Sequence, residues 1–296
     1  MELSPASARL FAEILERHSG QHLSPARSWR IATTLAPLMR ARGIASLDEL
    51  AHMLAGGGEP ALEEATVDAL VNHETFFFRD FATFGQLTDT AIPRLAAARA
   101  ESRRLTIWCA GCSTGQEAYS LAMALSEEER WRGWRIEIVA TDVSRASIER
   151  AREGRYSQAE VQRGLPIRRL LRWFEPDGRD WRVVAALRER VRFETLSLID
   201  APPAPGAFDI VLCRNVLLYF SPQLRRRMLH RFAGLLARDG VLMLGAGETV
   251  LGQTENVVVD EDCRGLYRIA APQAPAPAGS NGLGAPPWTI GTSIMG

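Results

Sequence analysis

The sequence predicts an α/β protein whose main domain is a doubly wound, parallel sheet, and three observations predict it. From residue 105 onward, short apolar runs typical of strands alternate with helical runs, and this alternation is typical of a parallel sheet covered by helices on both faces. A turn with two glycines joins the first strand to the first helix. Before about residue 70 the hydrophobic periodicity is helical only, which predicts a small all-α domain ahead of the sheet.

The helical domain is expected to span residues 1–75. A Ser-Pro pair at residues 24–25 suits the N-cap and first turn of a helix, which Pro37 should end or kink. Three glycines at residues 56–58 mark a loop, and residues 61–71 are helical again.

The alternating part of the chain is read in order from its apolar runs and their flanking turns. Five strands are predicted, at residues 105–109, 136–141, 191–194, 208–213 and 241–246. Three helices are predicted between them, near residues 116–125, 144–153 and 222–236.

The turn after the first strand is the most informative segment. It reads AGCSTGQE, in which Gly111 and Gly115 let the backbone approach a ligand closely and Glu117 lies just inside the next helix. A dinucleotide site would need G-x-G-x-x-G, so no pyrophosphate is implied. Asp142 ends the second strand, where an acid can accept hydrogen bonds from ribose hydroxyls. The pattern predicts a site for a nucleoside without phosphates, although the turn alone is also compatible with an ordinary strand-to-helix connection.

Two segments depart from simple alternation, and two strands close the sheet. Residues 155–190 contain a hairpin signal, with aromatic residues on each side of a Pro-Asp-Gly turn at 176–178. Residues 257–259 and 266–269 read as closing strands. Residues 271–296 are rich in Pro, Ala and Gly, which favours a flexible tail over a docking peptide.

Composition excludes several classes of function. The 296 residues carry 35 basic and 35 acidic side chains, and a neutral chain is not typical of nucleic-acid binding. No apolar run reaches the ~20 residues of a membrane span and no targeting segment is visible, so a cytoplasmic protein is expected. Cys109 and Cys112 have C-x-x-C spacing, but no second pair accompanies them. A metal or redox role is therefore not favoured.

Three further segments give the chain a family resemblance. They read NHETFFFRD (72–80), ATDVSRASIERAREG (140–154) and FDIVLCRNVLLYF (208–220). Together with the glycine turn, they resemble the S-adenosylmethionine-dependent chemotaxis receptor methyltransferases, the CheR family of protein-glutamate O-methyltransferases. The resemblance covers roughly residues 5–270. It implies a class I methyltransferase, Rossmann-like domain at residues 76–270, with residues 155–190 as an inserted β-subdomain.

The resemblance also implies roles for individual residues. Arg79 would pair with the methionine carboxylate of the cofactor, Glu117 would accept from its amino group, and Asp142 would bind its ribose. Arg79 and Tyr219 would border the reacting methyl group as catalytic residues, with Tyr219 orienting the acceptor carboxylate. The implied cofactor-binding residues are His73, Thr75, Arg79, Gly111, Glu117, Asp142, Ser197, Leu198, Arg214 and Asn215.

Some positions differ from the family pattern. His73 and Ser197 stand where the family usually has asparagine. Both can still form a hydrogen bond, so a changed affinity for the cofactor is expected rather than a loss of binding. The three phenylalanines at residues 76–78 are interpreted as core.

Three functions remain open at this point. The leading hypothesis is methylation of receptor glutamates, with S-adenosylhomocysteine as product. The others are the same cofactor chemistry on another acceptor and a catalytically silent cofactor-binding module. The expected partner is the cytoplasmic helical region of chemotaxis receptors, which a monomer would recognise through Arg27, Arg30, Arg40 and Arg42 of the helical domain.

Overall fold

The computed structural model describes residues 3–23, 29–57, 59–200, 202 and 208–270. The predicted helix start at residues 24–25, Arg27 and the predicted tail at residues 271–296 lie outside this described part.

The N-terminal region forms four helices around a core of its own. Ser4 caps the first helix and Ser46 the third, each accepting a backbone N–H three residues on. Phe11, Ile31 and Leu50 are fully buried between the helices. The four are α1 (Pro5–Ser19), α2 (Trp29–Arg42), α3 (Leu47–Ala55) and α4 (Pro60–Leu70).

Of the two outcomes expected at Pro37, an end of the helix is excluded, because α2 continues through Pro37 to Arg42, and a kink stays a prediction. Leu35 and Met39, on either side of the proline, are both buried in the core of the helical region. Burial of this face stabilises the helix past the proline, since tertiary packing outweighs local propensity.

From β1 (Arg104–Ala110) onward the predicted strands and the three predicted helices occur in the expected order, and two unpredicted helices, α5 (Phe81–Gln86) and α6 (Ile92–Ala98), precede them. A π-helical turn, Leu87–Ala91, joins α5 to α6. The helices are α5 (Phe81–Gln86), α6 (Ile92–Ala98), α7 (Gln116–Ser126), α8 (Arg145–Glu153), α9 (Gln158–Gln162), α10 (Ile167–Trp173), α11 (Ala185–Arg188) and α12 (Pro222–Leu235). The strands are β1 (Arg104–Ala110), β2 (Arg135–Asp142), β3 (Arg155–Ser157), β4 (Phe174–Asp177), β5 (Asp180–Val183), β6 (Val191–Thr195), β7 (Phe208–Cys213), β8 (Leu236–Leu244), β9 (Val257–Val259) and β10 (Leu266–Ile269).

Seven strands form the main sheet in the order β6-β2-β1-β7-β8-β10-β9. The first five are parallel, and β10 is antiparallel to both of its neighbours. The strand order reverses between β1 and β7, so a crevice is expected at the carboxyl ends of these strands. The predicted α/β fold, including its closing antiparallel pair, is confirmed.

Both faces of the sheet are covered. Ile107 packs into one large cluster with the buried Tyr119 of α7, whereas its neighbour Trp108 points to the opposite cluster with Phe232 of α12. Every residue of β7 is buried. The central strands therefore read as continuous apolar runs, as expected for a sheet covered on two sides.

Residues 155–190 form a separate three-stranded antiparallel sheet, ordered β3-β5-β4. The hairpin of β4 and β5 pairs Asp177 with Asp180 around the turn. Three short helices, α9 to α11, accompany it, and the sequence analysis did not predict them.

Within the described residues, no helix has both the length and the apolar character needed to cross a membrane.

Candidate active site at the carboxyl ends of the parallel strands

A cavity lies where the strand order reverses. It is lined by loops that follow β1, β2 and β7, by the segment at residues 71–79, and by Ser19 and Gln21 from the end of the first helix. Both regions of the chain therefore contribute to its walls.

The glycine turn after β1 has the geometry that its sequence predicts. Gly111 has φ +81°, and a Cβ there would lie 2.5 Å from Val216 Cγ2. Gly115 has φ +92°, and a Cβ there would lie 3.0 Å from Ala151 Cβ. A side chain at either position would meet both a steric clash and an unfavourable backbone conformation, so glycine is required at both. The N–H of Gly111 donates to Thr141 O at 2.8 Å, which ties this turn to the end of β2.

Asp142 lies at the cavity wall, with 8% of its surface exposed. Its Oδ2 accepts the Ser113 N–H at 2.8 Å and its Oδ1 accepts the Ser144 N–H at 3.0 Å. Burial raises the pKa of this carboxyl, because a low-dielectric environment disfavours the charged form. Each oxygen keeps one lone pair for a ligand hydroxyl.

An ion cluster centred on the buried Arg214 contributes to another part of the wall. Arg214, whose side chain is 3% exposed, donates to Glu117 Oε2 at 2.8 Å and to Asp80 Oδ2 at 2.8 Å. The same guanidinium donates to the carbonyl of Arg79 at 2.7 Å. Within the described structure, Arg214 Nε and Asn215 Oδ1 are buried without a hydrogen-bond partner. This wall therefore offers both signs of charge next to polar atoms that are not yet paired.

The segment at residues 72–80 closes the cavity on one side. Phe76 lines the cavity, and its ring lies 5.2 Å from the Arg79 guanidinium and 4.5 Å from that of Arg163. Phe77 and Phe78 are buried in the core. The interpretation of this run as core therefore holds for two of its three phenylalanines, and Phe76 is the exception.

Arg163 joins the inserted subdomain to this segment through an ion pair with Glu74 at 2.6 Å. The pair holds the pKa of the Glu74 carboxyl below its usual range. The next residue, Gly164, packs so closely that a Cβ would lie 2.1 Å from Phe77 O.

Tyr219 follows β7 at the end of a short turn, Leu217–Tyr219, and lines the cavity. Asn72 Nδ2 donates a hydrogen bond to its hydroxyl, and its carbonyl accepts the His22 N–H at 2.7 Å. Hydrogen bonds from the helical region therefore hold the turn that carries Tyr219 in place. The sequence analysis missed Asn72, which starts the 72–80 motif but has no local signal for a partner 147 residues away.

His73 and Ser197 are not among the residues that line the cavity, and their contacts with a cofactor stay predictions. The His73 ring contacts Asp68 O at 2.6 Å and Ser147 Oγ at 2.9 Å. Ser197 Oγ donates to His18 O at 2.7 Å. Both side chains join the helical region to the rest of the protein.

The other predicted site residues come together. All of them line the same cavity, and their contacts with a cofactor stay predictions: Thr75, Arg79, Gly111, Glu117, Asp142, Leu198, Arg214, Asn215 and Tyr219.

The four cysteines are all buried, free thiols. Burial raises the pKa of Cys109, Cys112 and Cys213 well above its ordinary value. These thiols therefore remain protonated and behave as small apolar side chains.

Comparison with known proteins gives a consistent result. A family model described as "CheR methyltransferase, SAM binding domain" matches residues 73–262. "Chemotaxis protein methyltransferase 1" of Pseudomonas aeruginosa is 39% identical over 257 residues, covering 84% of this chain and 92% of the relative. A chemotaxis protein methyltransferase of Pseudomonas putida is 38% identical, covering 82% of this chain and 90% of the relative. One of Vibrio parahaemolyticus is 36% identical, covering 86% and 92%.

Proposed function

The chain belongs to the CheR methyltransferase family, and we propose that it transfers a methyl group to glutamate side chains of chemotaxis receptors. It is a methyltransferase, and its cofactor is S-adenosylmethionine. The observation that carries the proposal is that Asp142, Glu117, Arg79 and Tyr219 line one cavity at the strand-order reversal.

The residues around the cavity fit this cofactor. Asp142 has lone pairs available for ribose hydroxyls, and Leu198 offers an apolar surface for the adenine. Glu117 is placed to accept from the ammonium of the methionine part, and Arg79 to bind its carboxylate. Arg214 orients the Glu117 carboxylate through a direct hydrogen bond and holds the backbone of Arg79 through its carbonyl.

The acceptor needs orientation more than activation. A glutamate side chain has an ordinary pKa of about 4.3 and is ionised at neutral pH, so no strong base is required. When bound, the cofactor supplies a methyl group on a cationic sulphur. Since attack by a carboxylate neutralises both charges, alignment and exclusion of water favour the reaction. Tyr219 can hold the acceptor carboxylate through its hydroxyl, which Asn72 orients.

We place receptor docking on the helical region. The described arginines Arg30, Arg40 and Arg42 all belong to α2, and Arg40 and Arg42 are exposed. Arg42 lies 4.0 Å from Glu59, a contact too long and too exposed to neutralise it. The positive charge of this helix would steer a glutamate-bearing helical bundle toward the helical region. The division of the chain at residue 75, the monomeric state and the cytoplasmic location stay predictions.

Charge reversal tests this docking. Arg27→Glu combined with Arg30→Glu should slow methylation of an intact receptor at low salt and leave cofactor affinity unchanged, because surface charges act on association. Arg238→Glu, an exposed position on β8, is the control. Wild-type rates across a salt series would move docking to another surface, with the hairpin near Trp173 and Trp181 next in line.

The acceptor itself is tested by incubating the protein with methyl-labelled cofactor and a receptor signalling domain. We expect label on glutamate as an ester that alkali releases. Alkali-stable label, or label on another residue type, would favour the same chemistry on a different acceptor. Cofactor binding without any transfer would favour a silent binding module.

A further inference from the structure

Glu248, in the loop after β8, accepts three backbone hydrogen bonds beside the cavity. Its Oε2 accepts from Asn215 N at 2.8 Å and from Gly245 N at 2.7 Å. Its Oε1 accepts from Leu218 N at 3.1 Å. In the described part of the protein, no cation forms an ion pair with this carboxylate. Its charge is therefore offset by backbone donors that belong to the ends of two adjacent strands.

The backbone that Glu248 binds is an unusual one. Asn215 has φ +59°, a left-handed conformation that is uncommon outside glycine and that asparagine adopts more readily than most other residues. Gly245 lies directly against it, and a Cβ there would be 2.7 Å from Asn215 Nδ2. Without the carboxylate, three N–H groups of a partly buried turn would need new partners. The side chain thus holds a turn whose three N–H groups have this carboxylate as their acceptor.

This turn carries the residues that face the reaction. Asn215 and Tyr219 both line the cavity, and the bonded amide of Leu218 immediately precedes Tyr219. Glu248 itself is absent from the cavity lining and lies on the far side of the turn, in a neighbouring groove with Thr83 and Tyr267. Its influence on a ligand must therefore pass through the backbone of residues 215–219.

We propose that Glu248 is a positioning residue for methyl transfer: its carboxylate sets the backbone of residues 215–219 and thereby the location of the Tyr219 hydroxyl. This inference rests on the proposed function of the cavity. It differs from a purely structural cap because it ties Glu248 to turnover through one named side chain.

Two substitutions separate the contacts. Glu248→Gln can keep one oxygen toward Asn215 and Gly245, but turns an amide NH₂ toward the Leu218 N–H. Glu248→Ala removes both acceptor oxygens and with them all three hydrogen bonds. Glu255→Gln, at an exposed position seven residues on, is the matched control. Each protein is compared with the wild type for kcat, for KM toward the receptor, and for hydrogen exchange of the backbone at residues 214–220.

For Glu248→Gln we expect kcat to fall about tenfold, with KM for the receptor within about twofold of the wild type. Exchange at residues 214–220 should become faster, and Glu255→Gln should change neither quantity. In a Tyr219→Phe background the same substitution should lower kcat by less than about twofold, because both changes act through one hydroxyl.

Additive losses in the double variant, an unchanged kcat, or unchanged exchange would each overturn the proposal. Wild-type protein that transfers no methyl group to the receptor would instead contradict the proposed function. The exchange measurement would then still decide whether Glu248 sets this backbone.

Discussion

The two ends of the parallel sheet both bury charged side chains, but they use them differently. At the amino end, Arg99 donates to Asp209 at 2.8 Å and to Asp239 at 2.6 and 2.7 Å. Asp209 also accepts from the N–H of Thr106 at 2.7 Å. At the carboxyl end, charged groups surround a cavity, and the carboxylate of Asp142 retains capacity for a ligand.

Residues with unusual backbone conformations are also concentrated at the carboxyl end of the sheet. Of the non-glycine residues with positive φ in the described structure, Phe78, Asp80, Ser113 and Asn215 lie in loops around the cavity, and Arg103 alone precedes β1 at the amino end. Strained conformations concentrate where a binding site requires them. The comparison indicates that charges at the amino end stabilise the fold, whereas charges at the carboxyl end prepare a site.

The largest expected effect comes from the cluster at the carboxyl end. Arg214→Met would leave Glu117 and Asp80 facing each other without their shared cation. We expect transition-state stabilisation to fall by roughly 3 to 4 kcal/mol, measured as kcat/KM for receptor methylation. Arg227→Met, exposed on α12, should retain wild-type values. Near-normal kcat/KM in Arg214→Met would show that this cluster is only structural.

Arg99→Met makes the opposite test at the amino end. It leaves Asp209 buried with Thr106 as its remaining partner, so the free energy of unfolding should fall by about 2 to 3 kcal/mol. Affinity for S-adenosylhomocysteine should stay within about twofold of the wild type, since the cavity is untouched. Denaturant unfolding and calorimetry measure the two quantities, with Arg238→Met as control. A large loss of affinity would contradict the proposal that charges at the amino end stabilise the fold and do not prepare the site.

Asp142→Ala should weaken binding of S-adenosylhomocysteine by about 1 to 3 kcal/mol through lost charge-assisted hydrogen bonds. Unchanged affinity by calorimetry would remove the ribose role.

The same residue should make binding depend on pH. Since burial raises the pKa of Asp142, its charged form costs folding free energy at neutral pH, and that cost disappears as the pH falls through the folded-state pKa. Cofactor affinity depends on pH in the opposite direction. The ribose hydroxyls donate hydrogen bonds to the charged carboxylate, so protonation of Asp142 removes them. Affinity should therefore weaken on acidification, by at most about tenfold per pH unit. In Asp142→Asn this dependence should be lost, whereas an equal slope in both proteins would assign it to another group.

The sequence predicted what local rules control. Gly111, Gly115 and Asp142 follow from turn chemistry at strand ends, and the closing strands follow from short apolar runs. The side-chain contacts of His73 and Ser197 could not be predicted from the sequence. Their ring and hydroxyl bind partners brought close only by tertiary packing.

Long-range partners explain the remaining omissions. Asn72 bonds to Tyr219, which lies 147 residues later, and Glu248 bonds to two amides about 30 residues earlier. Neither has a neighbour in sequence that signals the contact. Pro37 also needed tertiary information, because the burial of Leu35 and Met39 decides that α2 continues.

The most direct test of the account is a single-turnover comparison of wild type and Tyr219→Phe, each preloaded with methyl-labelled cofactor and mixed with a receptor signalling domain. Removing the hydroxyl should slow transfer of label to glutamate by about tenfold, while cofactor affinity stays unchanged, because acceptor orientation matters chiefly in the transition state. Equal transfer rates in the two proteins would contradict the account and make Tyr219 a structural residue of the cavity wall.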